Sequence, residues 1–344
     1  MLKNFILVFI ILWSTLCTMS QDEKSKISNI DTVYIKDLSH KLSLRILSVS
    51  KFTNFDVKDN EVDSLISYSP NRNINLGFGV NYKWFGLWVA FKFPFINNDD
   101  AKYGETKRFD AQTTIFLRKL AIDFYLSTYK GFYIENPESY LPEWDDSMPY
   151  PQRPDLSTTK IGGSCTYAFK YRKYSTKAAF IQTEQQRKSA GSFLLGGFFS
   201  YFGIEGDSSF VPYQLNDIYD PALLFNNVKV FGGGVTFGYS HTFVLWKKFY
   251  ISFSLVPGVS LQGYEIAYDD GQEDKTGAFI AGRFLTRIGV GYNSEKSYAG
   301  FTASNDSYSG NSGKEQQGSL NYEVGVIRFF YGRRFNFPTF NQKK

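Results

Sequence analysis

Between Asn73 and Phe93 the chain reads NINLGFGVNYKWFGLWVAFKF, with an apolar side chain at every second position and Asn or Gly at almost every position between. A period of two sends alternate side chains to opposite faces of a β-strand. A soluble sandwich would pack its apolar face on a second sheet and turn Lys, Glu, Thr or Ser to water. A face of Gly and Asn fits a lumen instead, where small groups relieve crowding, and it leaves the apolar face for hydrocarbon.

The run reads as a hairpin: Ile74, Leu76, Phe78, Val80 and Tyr82 on one face, a tight turn at 83–86, then Leu87, Val89, Phe91 and Phe93. Each arm is about ten residues, the length of a tilted strand crossing a bilayer. The unit recurs at 108–118 with 120–130, 159–170 with 174–184, 228–240 with 249–261, and 278–292 with 297–305, beside single strands at 42–50, 192–203 and 319–331. Longer polar segments fall between, at 51–72, 96–106, 131–157, 204–227, 264–277 and 306–318. Short turns alternating with long loops predict an all-β, transmembrane, antiparallel up-and-down barrel with the short turns in the periplasm. Its expected strand count is twelve to fourteen, the last placed within SSFVPYQL at 208–215. A soluble β-sandwich or lipocalin-like barrel with an aromatic core is the alternative.

The opening MLKNFILVFIILWSTLCTMSQDEK has one cation, an apolar run too short to span a bilayer, and small side chains before Gln21. That is the pattern of a secretory signal peptide. It ranks above a membrane anchor, and above a lipid-attachment signal, because Leu16 precedes Cys17 where a small residue is needed. The expected organisation is a signal peptide at 1–20, a periplasmic segment at 21–40, one barrel domain at 41–336 and a short tail at 337–344. Without its leader the chain keeps only Cys165, so an intramolecular disulfide is excluded. The +5 formal charge, 38 Lys and Arg against 33 Asp and Glu, is too slight for a nucleic-acid partner. The expected partners are outer-membrane lipid and other envelope proteins.

Aromatics near the tight turns suit a girdle at the membrane interface: Tyr82, Trp84, Phe85 and Trp88, and again Trp246, Phe249 and Tyr250. Parity also sorts the charges. On 278–292 the even-numbered Ile280, Phe284, Ile288 and Val290 claim the lipid face, which turns Arg283 and Arg287 to the lumen. The same logic sends Glu323 inward, opposite Leu320, Tyr322, Val324 and Val326, and adds Asp110, Arg118, Asp123, Lys160 and Lys177 to the lumenal set. Charges in a barrel wall need partners or water, so this set implies either a wet pore or a salt-bridged interior, with Arg283 and Arg287 meeting Glu323 or the aspartates.

The runs YIKDLSHKLSLRILSVSKFTNF, QQRKSAGSFLLGGFFSYFGIEGDSSFVP and GYSHTFVLWKKFYISFSLVPG resemble the uncharacterised family numbered 4421 among the domains of unknown function, found in Bacteroidetes bacteria. The resemblance covers most of the chain after about Asp31 and implies an outer-envelope β-barrel of unassigned activity, with no catalytic residues to carry over.

Other motifs add little chemistry. His40 and His241 are the two histidines, few for a base-dependent hydrolase, and both read as interfacial polar residues. FGGGVTFG lacks the GK[ST] ending of a phosphate loop. DDGQED at 269–274 lacks the full calcium-loop pattern. No cofactor or metal is expected. The sequence therefore supports a closed or narrow-lumen barrel with a structural or surface-interaction role, then a passive pore with a lumenal arginine stripe, and, lowest, an outer-membrane hydrolase.

Overall fold

Three side chains bend the chain where glycine would be usual: Lys83 in one short turn, Trp246 and Lys247 in another, at φ of 54°, 48° and 65°. Such mirror-image turns match the right-handed twist of the arms they join. The computed structural model describes residues 30–336 apart from 84, 94–95, 97, 269–271 and 313–317. The expected signal peptide, the tail at 337–344, Trp84, the side chain of Phe85 and the first half of the acidic DDGQED run lie outside the described residues.

The strands are β1 (Ile35–Asp37), β2 (Leu42–Asp59), β3 (Ser64–Ser69), β4 (Ile74–Tyr82), β5 (Phe85–Lys92), β6 (Lys107–Phe116), β7 (Leu120–Ile134), β8 (Gln152–Ala168), β9 (Glu184–Gln186), β10 (Ala190–Glu205), β11 (Asn227–Leu245), β12 (Phe249–Ala267), β13 (Lys275–Asn293), β14 (Ser297–Ser312) and β15 (Gly318–Phe335). Among the described residues two short α-helices, α1 (Asp100–Tyr103) and α2 (Thr176–Phe180), lie in the connections. Antiparallel pairing runs β2–β3–β7–β8–β10–β11–β12–β13–β14–β15, and β15 pairs back to β2 along their full length. Ten strands thus close the ring. On the short-turn side of β3, the strands β4, β5 and β6 continue the wall.

This ring is smaller than the twelve to fourteen strands expected: two expected strands do not form, and β4, β5 and β6 lie off the closed path, where β3 joins β2 to β7. The segment 174–184 turns inward as α2 instead of forming a strand, because Ser175 caps it (Ala178 N to Ser175 Oγ, 3.0 Å) and two good helix formers, Ala178 and Ala179, are buried beneath. Lys177 therefore lies on a helix. The segment 208–215 stays a loop: Pro212 withholds a ladder donor, and Phe210, Val211 and Leu215 sink into the core. Conversely, the expected loop 51–72 is largely strand, in the upper part of β2 and in β3.

Strands of 15–19 residues outrun the bilayer. At about 2.5 Å of height per tilted residue they rise ~40 Å or more, against ~30 Å of hydrocarbon. The face rule changes with height. In the lower part, toward the short turns, Leu255, Phe284, Ile288 and Phe329 point outward, and Ser252, Ser254, Arg283 (4% exposed) and Gly79 point inward. Higher up the arrangement inverts: Phe55, Val57, Phe202, Ile204, Val228, Val230 and Tyr322 form an inner core while Asn54, Asp56, Lys229 and Glu323 face out. The lower band is dressed for lipid and the upper part for water. Among the described residues no helix is long and apolar enough to cross a membrane; the strands do so.

Candidate functional site

The lumen is filled from both ends. At the short-turn end the segment 169–189 folds into the barrel mouth. Arg118 ties it to the β6–β7 turn, with Nη1 2.5 Å from Glu184 Oε2 and Nη2 2.9 Å from the Tyr174 carbonyl. Tyr174 shares a hydrogen bond with Ser240 (2.5 Å), and Tyr250 donates to the Ala179 carbonyl (3.0 Å). Asn293 Nδ2 donates to the carbonyls of Ala178 (3.2 Å) and Glu184 (2.9 Å), and Arg334 donates to those of Gln182 and Ser294. The N-terminal segment joins in, because β1 pairs with β9.

At the other end the β10–β11 loop drops Phe210, Leu215, Tyr219, Leu223 and Phe225 into the upper core, against Phe55, Tyr68, Phe132 and Ile134. Tyr68 donates its hydroxyl to the Phe210 carbonyl, and Arg153 grips Asp155 bidentately (2.9 and 2.7 Å) while donating to the Ser209 carbonyl.

Between the two caps lies a layer of ion pairs. Arg287 of β13 reaches Asp123 of β7 at 2.6 Å; Thr114 and Ser164 also donate to that carboxylate, at 2.7 and 3.0 Å. Arg283 holds Asp306 of β14 bidentately at 2.7 and 2.8 Å and lies over the Phe198 ring at 4.2 Å. Lys51 of β2 meets Asp110 of β6 at 2.8 Å, and Tyr129 donates to the same carboxylate at 2.5 Å. Lys160 is 2% exposed and its Nζ has no hydrogen-bond partner among the described residues; the rings of Tyr322 (4.4 Å), Tyr308 (5.4 Å), Phe202 (5.5 Å) and Tyr125 (5.7 Å) surround it. An ammonium enclosed by ring faces is held by cation–π attraction, stronger away from water.

The structure thus brings Asp110, Asp123, Lys160, Arg283 and Arg287 into the lumen, puts Arg118 at its mouth and Lys177 on the plug. Glu323 is a correction: it faces outward, where Asn54 Nδ2 and Asn305 Nδ2 each donate to it at 3.0 Å. It sits about twelve residues, roughly 30 Å, above the short turns, where the outer face is wet. Tyr322 takes the inner face, stacked on Phe202 (4.1 Å) and Tyr308 (4.7 Å).

The expected girdle is also divided. Trp246 (83% exposed) and Phe249 stand outside in edge-to-face contact at 6.0 Å, and Tyr82 flanks its turn half-buried. Trp88 and Tyr250 are corrections, since both point inward. Trp88 lies against a small core of Leu47, Val49, Val326 and Phe330, and Tyr250 is held by the plug. Each alternates with an outward apolar neighbour, Leu87 or Phe249, so strand parity outranks closeness to a turn.

Sequence reasoning missed Asp306, Glu184, Arg45, Arg328 and Arg334. The phase of RFFYGRRF would have found two of them, because outward Phe329, Tyr331 and Phe335 put Arg328 and Arg334 on the inner face. His241 sits on the outer face, Nδ1 3.0 Å from the Tyr239 hydroxyl, and His40 is exposed before β2. Among the described residues no cluster of three His, Cys, Asp or Glu is placed to hold a metal ion.

A closed strand ring, an apolar lower exterior and polar upper loops put the chain in the cell outer membrane. The model of the family described as Domain of unknown function (DUF4421) matches residues 29–335. No curated protein matches. Among solved structures, the outer membrane protease OmpT from Escherichia coli aligns at 9% identity over 86% of this chain and 97% of its own, with a TM-score of 0.37. The translocator domain of the autotransporter NalP from Neisseria meningitidis aligns at 9% identity over 85% and 88%, TM-score 0.30. The outer membrane protein OprG from Pseudomonas aeruginosa aligns at 8% identity over 88% and 100%, TM-score 0.22.

Proposed function

Since the chain belongs to the DUF4421 family, whose description assigns no activity, we propose from its lumen that it is an axially closed barrel with a structural or surface-interaction role. The observation that carries this reading is the double stopper: a hydrogen-bonded plug at the short-turn end and an aromatic cap at the other, with paired charges between. A passive pore needs a continuous wet path. Here the charged groups of the middle layer are largely spent on one another.

The loops on the wet side support a display role, because they are built on packed aromatics. Tyr103, Tyr133, Tyr150 and Trp144 pack in sequence in tilted and edge-to-face contacts at centroid distances of 5.0, 5.1 and 4.8 Å, which fixes 137–150 against β7. The test is conductance in planar bilayers. Wild-type protein is expected to be silent, and Asn293→Ala with Arg334→Ala, which frees the plug, to give steps. Resolved ion steps from clean wild-type protein would replace this reading with the passive pore.

A further inference from the structure

The wall has two free edges on the short-turn side of the β3–β7 pairing. β5 pairs with β4 and β6 with β7, and among the described residues no ladder joins β5 to β6. From the short-turn end these edges climb seven to nine residues, roughly 20 Å, so the seam faces hydrocarbon, where unpaired backbone groups are costly. One side chain spans it. Lys51, from β2, passes the Trp88 ring of β5 at 5.9 Å and donates to both the carboxylate (2.8 Å) and the backbone carbonyl (3.1 Å) of Asp110 on β6.

Behind the seam the lumen holds cations outside any ion pair among the described residues. Arg45 and Arg328 make no ion pair among the described residues, and Arg45 Nε is buried without a hydrogen-bond partner. Arg328 lies 5.6 Å from the Trp88 ring, the same ring that Lys51 passes. Room for Arg45 comes from Gly79 on β4, where an added Cβ would stand 2.9 Å from Nε. Two guanidinium groups outside any ion pair in a low-dielectric interior favour an anion. A soluble anion meets a folded cap at each end of the barrel, whereas the seam opens on lipid.

We propose that the β5–β6 seam is a lateral port for an amphiphile with an anionic head: the head rests on Arg45 and Arg328, the apolar tail lies in the seam, and the Lys51–Asp110 bridge latches it. Only the preference for a membrane amphiphile over a soluble anion rests on the closed-barrel reading. Silence or conduction in bilayers is read separately from lipid retention.

The probes are phosphatidylglycerol, phosphatidylcholine and inorganic phosphate, offered to the purified full-length protein in neutral detergent and read by native mass spectrometry. One phosphatidylglycerol should be retained and phosphatidylcholine not. Retention should fall about tenfold in Arg45→Gln with Arg328→Gln, and millimolar inorganic phosphate should not displace the lipid. Equal retention of phosphatidylcholine, or undiminished retention in the double variant, overturns the proposal; displacement by inorganic phosphate overturns the lateral route in favour of a soluble-anion site. Should the double variant not fold, the wild type decides alone. In phosphatidylcholine vesicles doped with phosphatidylglycerol carrying a diazirine in its acyl chain, photolabelling should concentrate on 85–92 and 107–116. Even labelling that includes β11–β13 would sink the port.

Discussion

Arg287 and Asp123 meet at 2.6 Å across the lumen, from strands β13 and β7 that stand on opposite sides of the ten-strand ring. The pair ties the two walls together in the charged layer. Removing one partner of a buried pair leaves the other charge uncompensated, at ~3–5 kcal/mol. Asp123→Asn should therefore lower the temperature of the heat-dependent mobility shift on gels markedly, and Asp123→Leu with Arg287→Met should recover much of the loss. No recovery in the double variant would mean that the pair does not act as a unit.

On β13 the outward positions should differ in tolerance by height. Ile288 lies five residues above Asn293, roughly 12 Å, near the bilayer midplane, whereas Phe284 lies nine above, roughly 22 Å. Ile288→Arg should cost ~2–4 kcal/mol and Phe284→Arg less. Equal losses in urea titrations of vesicle-folded protein would contradict this placement. The inward Arg283→Ser should not be mild, because it strands Asp306 beside the Phe198 ring.

The plug should loosen without loss of the barrel. Asn293→Ala removes donors to two plug carbonyls, each buried acceptor being worth ~1–3 kcal/mol. Limited proteolysis should then cut within 169–189 while the gel-mobility shift persists. Loss of both together would show that plug and barrel unfold as one.

Acid should release the N-terminal segment first. Lys36 donates a hydrogen bond to Glu295 and, with its charge, holds that carboxyl below the ordinary value of 4.5. A depressed carboxylate stabilises above its unfolded value, and the contribution is lost as pH falls through and below 4.5. Hydrogen exchange at β1 should quicken below that pH in wild type and show no such step in Glu295→Gln. The effect should shrink in high salt, since both side chains are partly exposed.

A period of two was enough to determine from the sequence the compartment, four of the five expected hairpins and the faces of the lower wall. The Ile280–Val290 stripe and inward Arg283 and Arg287 followed from parity, because in hydrocarbon every side chain of a strand must choose between lipid and lumen. Closeness to a turn misled at Trp88 and Tyr250, which parity places inward; parity itself misled at Glu323. A sequence does not mark the height at which lipid gives way to water, and above it the apolar side chains turn inward, as Phe55 and Tyr322 do. Nor does it say which long connection folds into the mouth: α2 and the Phe210–Phe225 cap are decided by contacts with strands scores of residues away. The pairing of Arg283 with Asp306, the stranded Arg45 and Arg328, and the open β5–β6 edge all depend on how the ring closes, and ring closure is a property of strand register that only the tertiary structure supplies.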